Sequence, residues 1–173
     1  TLFAPTPVFL SMSVFKEPLQ RSFDDFKEGL KSLGKKDAPY IFWTATCWVN
    51  WIRLNLDSME AMSELPRVEW MMKRALELDE GFYYGGPHLF MGIWFASRPK
   101  IAGGDLKKAQ EHFLKALDLG QGKFLMAYVY YANYYARKIM DKDLFTSTLQ
   151  KVLETPAETS PDLVLINTVA KRQ

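Results

Sequence analysis

The side chains with the most chemistry to offer in this chain are aromatic. Trp43, Trp48 and Trp51 lie close together, Trp94 follows, and Tyr128, Tyr131 and Tyr135 recur at helical spacing. Such rings build pockets that are largely apolar, with a few polar handles from indole N–H and phenol O–H groups, and these suit an organic ligand or a partner surface. Ordinary core packing is the competing outcome for any one of them, because large aromatics are usually buried. Taken together, the stretches around Trp48 and Tyr131 hold more ring surface than one neighbouring helix can cover. A second surface is therefore expected, either a cavity or a subunit interface.

Polar candidates are few. His88 follows Pro87 at a helix start, where a neutral imidazole capping the Gly85–Gly86 turn competes with a ligand contact; a helix N-terminus disfavours a cation. His112 lies among Lys108, Glu111 and Lys115 and reads as solvated. Two separate histidines without clustered acids make no metal site. Arg98 and Lys100 precede the Gly103–Gly104 turn, where helix-start N–H groups can attract anions. Asp105 is placed to cap that helix itself, and Leu106–Lys107–Lys108 is not the Gly-Lys-Ser/Thr of a phosphate loop. The stretch reads as a structural loop, with its exposed charges left as candidate contacts to a partner. Cys47 lies within an apolar stretch, where a thiol is inert. No nucleophile elbow, zinc-protease signature or paired-carboxylate cleft is present, so an enzyme is the weakest class, and no cofactor is called for.

Composition narrows the class. At 173 residues the chain can bury a sizeable core, and 24% charged residues argue against both disorder and a membrane-embedded protein. A net charge of +2 without a basic block gives no sign of nucleic-acid binding. One cysteine rules out an intrachain disulfide framework. No signal peptide is present as written, and no apolar run reaches the roughly 18 residues that span a bilayer.

Positioning these side chains falls to helices. Residues 1–21, broken by Pro5, Pro7 and Pro18, read as an extended arm, with Phe3, Phe9 and Phe15 against the body. Residues 22–173 read as one helical domain. Ser22 caps a first helix ending before Gly34. A second helix starts at Asp37 and runs to about Asp57. Its stripe of Ile41, Ala45, Trp48, Ile52 and Leu56 is extended by Tyr40, Trp43, Cys47 and Leu54, which predicts burial on two sides. Pro66 opens a third helix. Further helices are expected from Pro87 to Pro99, Asp105 to Leu119, Phe124 to Met140, Asp143 to Glu154 and Asp162 to Arg172. The run VYYANYY has strand propensity, but Phe124, Tyr128, Tyr131 and Tyr135 keep a helical period.

Ala109, Phe113 and Ala116 carry the A-x3-F-x2-A spacing of the second helix of a tetratricopeptide-like hairpin, and Met91, Gly92 and Phe95 supply its partner face. Val68, Met72 and Ala75 repeat the pattern earlier. The expected fold is all-α, antiparallel helical hairpins stacked as a tetratricopeptide-like superhelix.

The block RALELDEGFYYGGPHLFMGIWFASRPKIAGGDLKKAQEHFLKALDLGQGKFL, with VYYANYYARKIMDKDLF and LINTVAKRQ, resembles the T-component family of tripartite ATP-independent periplasmic (TRAP) transporters. The likeness runs from about Tyr40 to Gln173, and the GGPH turn and SRPKIAGGD loop are its most specific parts. It implies a non-enzymatic periplasmic accessory protein that assists the solute-binding component of a TRAP uptake system. It also implies a homo-oligomer, with a cavity for a small organic ligand. Trp43, Trp48, Trp51, His88, Trp94, Tyr128, Tyr131 and Tyr135 are the candidate lining, and Arg98 and Lys100 the candidate partner contacts. Membrane attachment is expected only through a lipid anchor absent from this chain. The alternative is a generic tetratricopeptide scaffold that grips a peptide or helix.

Overall fold

A computed structural model describes residues 22–173, and the arm expected over residues 1–21 lies outside them. The described residues are helical with no strand among them, so the fold is all-α. They fall into two compact units, the first ending at Glu80 and the second running Gly81–Gln173.

In the first unit α1 (Phe23–Lys31) starts at Ser22, whose hydroxyl accepts the Asp25 N–H at 3.3 Å, and it buries Phe26 and Leu30. A 3₁₀ turn over Lys35–Asp37 leads into α2 (Ala38–Leu54). Asp37 makes no side-chain cap on α2. Its carboxylate turns back instead to the Gly34 N–H at 2.9 Å, because the preceding turn leaves that donor unpaired. After the short α3 (Met59–Ser63), α4 (Leu65–Leu78) packs along α2, burying Val68, Met71, Met72 and Ala75. Arg74 of α4 donates to the carbonyls of Lys31 and Leu33 at 3.2 and 2.6 Å, closing the C-terminal end of α1.

Only one face of α2 is covered. Ile41, Ala45 and Ile52 are buried and Trp48 is half-buried, whereas Tyr40, Trp43, Cys47, Trp51, Leu54 and Leu56 are exposed. The two-sided burial expected for this helix is therefore not found. Cys47 is an exposed thiol, not an inert core residue.

The second unit is built on the hairpin of α5 (Phe82–Ser97) and α6 (Leu106–Gly120). Ala109, Phe113 and Ala116 are fully buried. Gly92 sits on the face of Phe113: a Cβ there would lie 2.9 Å from the ring. The small and large residues of the repeat pattern thus interlock as their spacing requires. Asp105 caps α6, accepting the N–H groups of Lys107 and Lys108 at 3.0 and 3.1 Å. The connecting loop is ordered by its own backbone: a 3₁₀ turn over Lys100–Ala102, with the Gly104 N–H bonded to the Pro99 carbonyl at 3.0 Å and Asp105 N–H to Phe95 at 3.1 Å.

The helix expected from Phe124 to Met140 is α7 (Leu125–Tyr130), followed by a π-helical turn over Tyr131–Ala136 and an end at Asp141. Lengthening the helical repeat turns its last residues outward. Ile139, in the stretch after the π turn, is exposed. Asp141 then caps α8 (Lys142–Glu154). A 3₁₀ turn at Pro161–Leu163 precedes α9 (Val164–Ala170). Ser160 does not cap that segment; its hydroxyl donates to Asp162 at 2.7 Å.

Candidate functional site

The candidate residues are distributed over both units. Trp43, Trp48 and Trp51 belong to α2 in the first, with Trp43 and Trp51 on its open face. In the second unit Tyr128, Tyr131 and Tyr135 are buried members of the hydrophobic core, packed with Phe113, Phe124 and Leu125. The Tyr131 and Tyr135 rings stack at 5.3 Å with 7° between their planes, and Tyr131 lies 5.6 Å from Phe113. Both tyrosines lie in the π turn, four residues apart. Burial pushes the Tyr131 hydroxyl above its usual range, partly offset by a hydrogen bond to Gln110; burial and then Asp141 do the same to Tyr135. Lys151 lies over the Tyr128 ring at 4.7 Å.

Trp94 is buried and stacks on Phe90 at 5.8 Å, and the Arg98 guanidinium covers it at 3.5 Å. Arg98 is thereby oriented by a ring, while Lys100 is exposed in the loop. Beside Lys100, Ile101 is 98% exposed. An open hollow of about 340 Å³ is lined by Ala136, Arg137, Met140, Asp141, Lys142 and Phe145, none of them among the candidates.

The two histidines come together. His88 Nδ1 and His112 Nδ1 are 2.9 Å apart, and Phe95 stacks on His112 at 5.6 Å. One Nδ1 must carry the proton and the other must accept, so the bond requires an unprotonated acceptor. His112 is not the solvated residue expected from its charged neighbours. The helical hairpin turns it toward α5, and burial, then His88 and Lys108, lower its pKa to about 4. Among the described residues no group of three or more His, Cys, Asp or Glu is arranged to hold a metal ion.

One cluster escaped the sequence reading. Tyr83, Tyr84 and Gly85 take three successive left-handed conformations, with φ of 47°, 58° and 78°. Each such tyrosine costs about 1–2 kcal/mol, so the surroundings must hold the turn in place. Tyr84 donates to Asp162 at 2.5 Å and lies 3.3 Å from Ser160; Tyr83 packs edge-on against Phe124 at 5.5 Å. A Cβ on Gly85 would come within 3.1 Å of Ala116 and Leu119, so α6 passes against this turn. The only sequence signal was the neighbouring Gly85–Gly86 pair, which marks a turn without saying that two tyrosines share it.

Among the described residues no helix is long and apolar enough to cross a membrane. No curated protein matches the chain. The family model described as TRAP transporter T-component matches residues 11–173. That span takes in both helical hairpins, the GGPH turn, the ordered loop and the Tyr128–Tyr135 segment, and begins well before Tyr40, from which the likeness is expected to run. The chain belongs to the TRAP transporter T-component family.

Proposed function

We propose that this protein is a non-enzymatic periplasmic accessory of a TRAP-type solute uptake system. It docks the solute-binding component, self-associates, and offers that component's organic ligand an aromatic-lined surface. The family match over residues 11–173 carries the reading. The tetratricopeptide-like hairpins α2/α4 and α5/α6 form the body. Of the candidate tryptophans and tyrosines, Trp43, Trp48 and Trp51 of α2 are the ones left exposed or half-buried to face a ligand, whereas Trp94, Tyr128, Tyr131 and Tyr135 are buried.

The Arg98–Lys100 loop is the proposed docking point. Its backbone is ordered by internal hydrogen bonds, Arg98 is fixed over Trp94, and Ile101 projects with Lys100 beside it. A preorganised loop presenting one apolar side chain in a basic collar loses little entropy on binding.

Titration calorimetry with the solute-binding protein encoded beside it tests the reading. Direct, saturable binding supports it; absence of binding with and without solute overturns it. A generic peptide-gripping scaffold has one favourable observation, the open aromatic face of α2. It would show itself as binding to helical peptides and not to the solute-binding protein.

A further inference from the structure

His88 and His112 are 24 residues apart in the chain, and the α5/α6 hairpin brings the same atom of each to one place. α5 supplies His88 just past the left-handed turn, and α6 supplies His112 from its middle. The two Nδ1 atoms are 2.9 Å apart. Both rings are half-buried, so neither is sealed from solvent.

That separation has a second meaning besides a hydrogen bond. An imidazole nitrogen binds a divalent transition metal at about 2.0 Å. Two such bonds at the right angle of a square-planar ion hold their nitrogens about 2.8 Å apart, whereas a tetrahedral ion needs about 3.3 Å. The observed spacing matches the right angle. We propose that His88 and His112 form a two-imidazole site for copper(II), with the metal held by both Nδ1 atoms and bridging α5 to α6.

The donor set favours this metal. Square-planar nitrogen and oxygen sites suit copper(II) and nickel(II), and copper stands highest in the affinity order of the divalent series. Zinc sites use three or four protein ligands. Among the described residues no third His, Cys, Asp or Glu joins the pair, so water fills the remaining positions. Phe95 stacks on His112 at 5.6 Å with 25° between the planes, which orients one ligand before the metal arrives.

The changes needed on binding are small. The rings meet nearly end to end, with centroids 5.1 Å apart. Aiming both lone pairs at one point beside the line of the nitrogens takes a turn of roughly 20–30° in each ring, and the χ2 well of histidine is broad. The proton shared between the Nδ1 atoms moves to the Nε2 of its own ring, a change of tautomer that leaves the charge unaltered. His112, with its pKa lowered to about 4, has no further proton to lose at neutral pH. Lys108 opposes a cation here, but its ammonium lies 4.0 Å from the Asp105 carboxylate, which offsets part of that charge.

This inference is independent of the docking role, and its failure leaves that role standing. Copper(II) chloride is titrated into the full chain carrying Cys47→Ser, which removes an exposed thiol that competes for the metal. Calorimetry is expected to show one equivalent bound with a micromolar dissociation constant. Electron paramagnetic resonance is expected to show a tetragonal signal coupled to two imidazole nitrogens. The melting temperature should rise with copper, since the unfolded chain does not hold the two rings together. His88→Gln and His112→Gln, each checked for folding by circular dichroism, should weaken binding at least tenfold, and zinc should bind at least tenfold more weakly than copper. The nitrogen count on the chain with both histidines tests the ligand set even where a variant does not fold. Copper binding weaker than millimolar, a signal with one imidazole or none, undiminished binding in either folded variant, or zinc binding as tight as copper overturns the proposal.

Discussion

At the scale of single residues, polar side chains fasten the turns of the second unit. Asn167 is fully buried. Its Oδ1 accepts the Leu125 N–H at 3.0 Å, and its Nδ2 donates to the carbonyls of Lys123 and Ala157 at 2.8 and 3.3 Å. Asn167→Ala leaves those buried groups unpaired, so a loss of about 2–3 kcal/mol is expected in denaturant unfolding. The Tyr84 hydroxyl, then Ser160, hold the Asp162 carboxylate below its ordinary 3.8. A depressed acid contributes stability above its unfolded pKa and loses it as pH falls through the folded one. Tyr84→Phe should therefore melt lower than the parent at neutral pH, with the gap closing below about pH 4. His112 obeys the opposite chemistry with the same sign. Its pKa is lowered to about 4 from 6.5, so the unfolded chain binds more protons across that interval. Stability should fall as pH drops from 6.5 toward 4, by roughly 1–2 kcal/mol after screening of this part-exposed ring. His112→Gln should flatten that part of the melting-temperature profile.

At the scale of elements, the α5/α6 hairpin is set by one close approach. Gly92→Ala would gain about 1 kcal/mol of helix propensity. It would also place a methyl 2.9 Å from the fully buried Phe113 ring, which has no space to retreat. A net loss of about 1–2 kcal/mol is expected in thermal unfolding, and a stabilised variant would show that the hairpin is less tightly closed than described. This interlock was legible as letters, since Gly92 and the Ala109–Phe113–Ala116 spacing specify small against large. The α2/α4 pair was legible in the same way through Val68, Met72 and Ala75. The π turn was not: Tyr131 and Tyr135 fit an unbroken helical period equally well, and one extra residue per turn leaves no mark on apolar spacing. Nor was the left-handed turn at Tyr83–Gly85, because its cost is met by Asp162, Phe124 and α6, all remote in sequence.

At the scale of the whole molecule, each unit has its own exposed apolar side chains, among them Trp43 and Trp51 of α2 in the first and Ile101 in the second. The proposed docking role of the loop makes a distinct prediction. Ile101→Asp, a change at a 98% exposed side chain, should leave the melting temperature within about 1 °C of the parent. It should weaken binding to the solute-binding component at least tenfold, and Lys100→Glu should slow association most at low salt. Binding unchanged in both variants would remove the loop from the docking surface.

The sequence alone determined the helical class, the pairing of helices in the two hairpins, most helix starts and the family. These follow from local periodicity, capping residues and small-large spacing, all written within a few turns of chain. Tertiary structure decided which apolar faces are covered. Tyr128, Tyr131 and Tyr135 went into a core while Trp43, Cys47 and Trp51 stayed exposed, although both stretches are rich in rings. It also decided that His88 and His112 share a proton. Burial and pairing depend on what another segment brings to the same place, and a hydrophobic side chain records only that it favours cover, not which neighbour supplies it.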